Sequence, residues 1–245
     1  MTFEFDSLLT LRNIRVAVEN PSVLPATLLH GRTGATSVIL SRILRKLSSC
    51  SDKEIDTFLK ASESRKMLVM PDNLSVFNSS SSLTFVMIPY YLVRLRKPKI
   101  VVETGVWSGK SSWSILQALK DNQEGKLFSL DIGAKTFGNT HLPVSEIGGF
   151  VPYSLRDRWN LIIGDSKIEL PKLLNTIGTI DMFQHDSDHS YDYMSFEYQT
   201  ALKSLHVDGI LCSDDVNLNE AFNEAKNFLR DSHIIGGRYG YGFLR

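Results

Sequence analysis

Six carboxylates are placed to do chemistry in this sequence: Glu103, Asp131, Asp165, Asp186, Asp214 and Asp215. Each stands at or just past the end of a short, mostly apolar run that reads as a strand. Open α/β sheets bind their ligands outside the carboxyl ends of the strands. One acid there is most simply a helix cap; a whole series of strand tips ending in acids exceeds what capping explains. Asp186, Asp214 and Asp215 form an oxygen-only, hard donor set suited to Mg²⁺ or Ca²⁺ rather than zinc. Asp188 is an alternative to Asp186 in that set.

The turn after the first of these strands narrows the ligand. Ile100-Val101-Val102-Glu103 leads into Thr104-Gly105-Val106-Trp107-Ser108-Gly109-Lys110-Ser111. A phosphate loop needs four residues between its first glycine and Gly-Lys, and this turn has three. Glu103 would also repel a triphosphate. The glycine gap does not fit a dinucleotide fingerprint either. A carboxylate at this tip suits a ligand with a cationic or hydroxyl-rich end. Asp131, at the end of the next strand, stands where an acid accepts from ribose hydroxyls.

The elements that position these residues follow from patterning. A helix over about Leu83–Arg96, with a kink or later start at Pro89, precedes the strand at Ile100. Its last turn carries Arg94 and Arg96, with Lys97 and Lys99 beyond. These cations read as a helix C-terminus with Pro98 as the stop. A helix over Ser111–Lys120 follows, then strands at Lys126–Asp131, Trp159–Ile163, Ile180–His185 and Asp208–Ser213. Short helices are expected at Ile168–Leu174 and Asn219–Leu229. A longer helix has Tyr191, Met194, Tyr198, Leu202 and Leu205 on one face. Residues 132–157, rich in glycine, read as an irregular insertion or lid, and Ile234–Arg245 as a closing hairpin. Right-handed crossovers then give an α/β, Rossmann-like, doubly wound and mostly parallel seven-stranded sheet. Helices cover both faces, and an antiparallel hairpin closes the C-terminal end. Residues 1–82 form a separate N-terminal helical extension or lid, in which Ile39, Ile43 and Leu47 share a face; residues 83–245 form the Rossmann-like domain.

Glu-x-Gly-x-x-x-Gly-x-Ser from Glu103, an acid at Asp131 and Gly164-Asp165-Ser166 occur in the order found in the class I S-adenosylmethionine-dependent methyltransferases. The runs Ile180–Tyr191 and Gly209–Val216 are similar to the methyltransferase domain 24 subgroup and resemble metal-dependent O-methyltransferases. The resemblance implies that Glu103 and the Gly105 backbone hold the methionine part of the cofactor. It also implies that Gly109 allows close approach, with Ser111 in the same turn, that Asp131 binds ribose, and that Asp165 and Ser166 flank adenine. It further implies a divalent cation, Mg²⁺ by preference, on Asp186, Asp214 and Asp215. Relatives of this kind carry Asp-Asn where this chain has Asp214-Asp215. His189, three residues past Asp186, takes the place of their general base. Read without the resemblance, His189 is equally a helix N-terminal residue near solvent. His185 reads as structural, and Asn217 and Asn219 as helix caps.

The implied reaction is methylation of a small-molecule or glycan hydroxyl. The competing readings are a protein that keeps the fold in a non-methylating role, hydroxylase-like or purely binding, and, less well matched, a nucleotide hydrolase. The 245 residues include 27 basic and 27 acidic ones, so no bulk charge points to nucleic acid. Cys50 and Cys212 make neither a disulfide framework nor a zinc pattern. The N-terminal stretch lacks a signal-peptide pattern, and no apolar run reaches the roughly 20 residues needed to span a bilayer. A cytoplasmic protein, with a homo-oligomer left open, is the expectation.

Overall fold

The computed structural model describes residues 80–133, 135–137, 140–235 and 237–245. The expected N-terminal helical extension, including Ile39, Ile43, Leu47 and Cys50, lies outside the described residues. From Phe85 to Arg245 the chain forms one compact unit.

Helix α1 (Ser80–Arg96) leads into β1 (Ile100–Thr104), α2 (Lys110–Asn122) and β2 (Lys126–Asp131). A two-stranded hairpin follows, β3 (Lys135–Phe137) with β4 (Thr140–Leu142), then two 3₁₀ turns, Val144–Glu146 and Tyr153–Arg158. The alternation resumes with β5 (Trp159–Ile163), α3 (Ser166–Ile177), β6 (Ile180–His185), α4 (Tyr191–Leu202) and β7 (Leu205–Ser213). A short α5 (Ala221–Ala225), β8 (Leu229–Ile235) and β9 (Tyr239–Leu244) close the chain.

The main sheet has seven strands in the order β5-β2-β1-β6-β7-β9-β8. The first five are parallel; β9 runs antiparallel to both β7 and β8. The sequence-based fold class is therefore the one observed. The strand order reverses at β1, so its tip and that of β6 flank the topological switch point, the usual ligand crevice of such sheets.

The register sorts the apolar side chains by alternation. Val102, Phe128, Phe183 and Leu211 share one row, and pack in a cluster with Leu170, Leu173 and Leu174 of α3, Met194, Tyr198 and Ala201 of α4, and Phe222 of α5. Val101, Leu127, Met182 and Ile210 form the opposite row and are fully buried too. Burial on both faces explains why these strands read as continuous apolar runs. Each large side chain so buried contributes about 1.5–3 kcal/mol.

Several boundaries differ from expectation. Helix α1 continues through Pro89, because the loss of one backbone hydrogen bond is offset by the burial of Ile88, Leu92 and Val93 around it. Leu205 is the first residue of β7, not the last turn of α4. The expected helix to Leu229 ends at Ala225, followed by a 3₁₀ turn at Lys226–Phe228, and Leu229 opens β8. The closing hairpin thus begins five residues early, because Leu229 is drawn into the core beside Phe222. The 132–157 insertion is partly regular, holding the β3–β4 hairpin and both 3₁₀ turns.

Candidate active site at the strand tips

The sheet's hydrogen-bond ladder runs past the strands into the loops that carry the acids. Gly105 N–H donates to Leu130 O, Asp186 N–H to Thr104 O, Asp214 N–H to His185 O and Gly164 N–H to Asp131 O, at 2.8–3.0 Å. These bonds bring the acid-bearing loops to one edge of the sheet. Gly105 lies in the left-handed region, φ +83°, and a Cβ there would come within 1.9 Å of Asp186 O. Only glycine lets the β1 and β6 loops approach so closely.

Glu103 is fully buried and turned inward. Ser111 Oγ donates to its Oε1 at 2.6 Å; Ser112 and Ser129 donate to Oε2 at 2.5 and 2.7 Å. Burial pushes its carboxyl above the ordinary value, while the three hydroxyls pull the other way. Asp131 holds the glycine turn: Val106 and Trp107 N–H donate to Oδ2 and Gly133 N–H to Oδ1, each at 2.9 Å. What approaches Gly109 is the insertion, with Gly148 Cα 2.7 Å from where a Cβ would stand. Gly148 N–H donates to Trp107 O and Phe150 N–H to Ser108 O, at 2.8 and 2.9 Å. Asp165 caps α3 by accepting from Lys167 N–H at 2.8 Å, and also accepts from Tyr193 OH at 3.1 Å.

Ser166 points away from the crevice edge, to Glu197. Glu197 is a hub that the sequence reading missed. Its Oε2 accepts from Thr104 Oγ1 at 2.5 Å and lies 2.6 Å from His185 Nδ1; its Oε1 accepts from Ser166 and from Ser187, the latter at 2.8 Å. One buried carboxylate thereby ties together the ends of β1 and β6, the start of α3 and the loop before α4. Its signal was an acid amid the buried positions 194, 197, 198 and 201 of an amphipathic helix.

His189 lies between two acids. Its Nε2 is 3.7 Å from Asp186 Oδ1 and 3.9 Å from Asp215 Oδ2, and has no hydrogen-bond partner among the described residues. The ring stands edge-on to His185, centroids 5.3 Å apart. Asn219 fixes the backbone, donating from Nδ2 to His189 O at 3.0 Å while its Oδ1 accepts from Ala221 N–H. Burial and the proximity of His185 lower the His189 pKa below its usual 6.5, more than the attraction of Asp215 and Asp214 raises it. The imidazole is thus neutral near pH 7, with Asp215 and Asp214 near enough to stabilise the cation that forms on protonation. Burial, and then the charge of Asp214 and Glu103, push Asp186 well above the ordinary carboxylate range.

Residues 102–216 match the family model described as methyltransferase domain. They are a methyltransferase domain. No curated protein matches the chain. Among solved structures, the methyltransferase fold is shared with CalS11, a TDP-rhamnose 3′-O-methyltransferase of calicheamicin biosynthesis. That likeness has a TM-score of 0.52 and 17% identity, and covers 82% of this chain and 98% of that one. It is shared also with the methyltransferase PaMTH1 of Podospora anserina, solved bound to SAH. There the TM-score is 0.51 and the identity 17%, over 74% and 85% of the two chains.

The acids of this methyltransferase domain do not fit the divalent cation that the resemblance implies. Arg238, in the turn between β8 and β9, already holds two of them. Its Nε and Nη2 donate to the two carboxylate oxygens of Asp214 at 2.8 and 2.6 Å, and its Nε lies 2.6 Å from Asp215 Oδ1. Among the described residues, no group of three His, Cys, Asp or Glu side chains is arranged to hold a metal. The sequence gives no local signal for Arg238 beyond a lone cation in a glycine-flanked turn.

Proposed function

We propose that this domain methylates a hydroxyl oxygen of a small molecule or sugar, with His189 as general base. The observation that carries the reading is His189 Nε2, neutral and without a hydrogen-bond partner among the described residues, set between Asp186 and Asp215 at the strand tips. The name of CalS11 as a sugar O-methyltransferase supports the substrate class.

S-adenosylmethionine, when bound, supplies a methyl group whose bond to a positively charged sulfur breaks with the electron pair left on sulfur. Asp131 keeps lone-pair capacity for ribose hydroxyls after its three backbone bonds. The Gly105 backbone takes the methionine end. Glu103 acts on it through Ser111 and Ser112, which fix the start of α2, and Gly109 keeps the turn in shape. Asp165 flanks the adenine, with Ser166 beneath it.

His189 accepts the hydroxyl proton at Nε2 as the substrate oxygen bonds to the methyl carbon. Asp215, with Asp214 behind it, offsets the positive charge that then appears on the imidazole. Alignment of the two reactants supplies much of the remaining acceleration.

Calorimetry with S-adenosylmethionine and S-adenosylhomocysteine, followed by methyl transfer to a panel of sugars, glycosides and catechols, tests this. A folded sample with no affinity for either nucleoside sinks the reading. Tight cofactor binding with no transfer to any acceptor points instead to a non-methylating role.

A further inference from the structure

We propose that Arg238 is the resident cation of this site, standing where the resemblance would place a divalent metal, so that methyl transfer here proceeds without one. The inference rests on the reading of the strand tips as a methyl-transfer site.

The geometry supports it in three ways. First, Arg238 meets Asp214 side-on, Nε to Oδ1 and Nη2 to Oδ2, the paired contact that a guanidinium makes best and a lysine cannot copy. The same side chain reaches Asp215 at 2.6 Å through Nε and 3.3 Å through Nη2. A cation bound to Asp214 and Asp215 would have to displace it from both. Second, the backbone of the arginine is held in place. Val216 N–H donates to Arg238 O at 2.8 Å, so the residue after the acid pair grips the backbone of the arginine that neutralises it. The adjoining β9 is paired to β7 over Ser213↔Gly240 and Cys212↔Tyr241, which sets the turn beside the β7 tip. Third, the charges suit a monovalent partner with many donors. Asp214 is mostly buried and Asp215 partly so, and a guanidinium keeps its charge across the accessible pH range. Burial works against that charge, and the bond to Asp214 with the attraction of Asp214, Asp215 and Asp186 more than offsets it.

The chemical consequence is a change in how the substrate oxygen is handled. A metal would bind that oxygen and acidify it. A guanidinium engaged with Asp214 and Asp215 supplies a fixed positive charge near the site without bonding covalently to the oxygen, leaving deprotonation to His189.

Mn²⁺ is the probe, read by its electron paramagnetic resonance and by calorimetry on the full chain. The wild type is expected to bind no Mn²⁺ at the strand tips, and methyl transfer to be unchanged by EDTA. In Arg238→Ala, with Asp186, Asp214 and Asp215 unmasked, Mn²⁺ binding is expected to appear. Transfer should fall roughly 10²- to 10³-fold without metal and recover in part on adding Mn²⁺. Arg238→Lys, which keeps a cation, serves if the alanine variant does not fold; it too should bind no Mn²⁺. Stoichiometric Mn²⁺ binding by the wild type that Asp214→Asn abolishes would overturn the proposal, as would EDTA-sensitive turnover. Cofactor affinity is measured on the same samples. Its absence would sink the methyl-transfer reading, while the Mn²⁺ result would still report on the arginine.

Discussion

Glu197 Oε2 stands 2.6 Å from His185 Nδ1, and both side chains are fully buried. The pair is the rear wall of the site. Its carboxylate also accepts from Thr104, Ser166 and Ser187, so the loops that hold His189 and Asp186 rest on a single acid. Glu197→Ala leaves these partners unsatisfied together. A loss of about 3–5 kcal/mol in unfolding free energy is expected, read by urea denaturation. A loss below about 1 kcal/mol would mean that the hub bears little of the fold.

The two buried glutamates have opposite pH linkage. Burial opposes the charge of Glu197, but its bonds to His185, Ser166 and Thr104 outweigh burial, so its folded value lies below 4.5. Its contribution is present above pH 4.5 and is lost as pH falls through the folded value. For Glu103 the folded value lies above 4.5. The folded state then binds more protons, so the contribution of Glu103 is full below pH 4.5 and declines as pH rises through the folded value. The stability deficit of Glu197→Gln should grow from acid pH toward neutral, and that of Glu103→Gln should shrink. Denaturation midpoints across a pH series distinguish the two, and parallel deficits would contradict this assignment.

His189→Ala should cut turnover by about 10²- to 10⁴-fold with cofactor affinity unchanged. The acid limb of the wild-type kcat/KM profile should fall below pH 6.5, because burial and His185 depress the imidazole pKa. Turnover in the variant equal to wild type would remove His189 from the chemistry.

Gly105→Ala places a Cβ against Asp186 O in a left-handed residue. The strain alone costs roughly 1–2 kcal/mol, and the β6 loop must also shift. Stability and cofactor affinity should fall together. A variant that lost neither would show that the two loops need not touch.

The strand–helix alternation and the acids at the strand tips were legible in the chain because they are local. Apolar period and turn residues report on a few neighbours at a time, and β1, β2, β6 and β7 are buried on both faces, so their sequences are continuous and unmistakable. The ends of helices were less legible. Leu205 and Leu229 are apolar enough to end a helix or open a strand, and only their place in the core settled which.

The sequence by itself determined the succession of strands and helices and the identity of the acids at the strand tips; the strand order, and with it the switch point, came from the fold. Tertiary structure decided what those acids face. Glu103 turns to three serines, Ser166 turns to Glu197, and Asp214 with Asp215 is held by an arginine 24 and 23 residues away. A carboxylate is equally able to bind a metal, a hydroxyl or a guanidinium. Its residue type therefore names the possible partners, and only folding, which brings distant segments within 3 Å, selects among them.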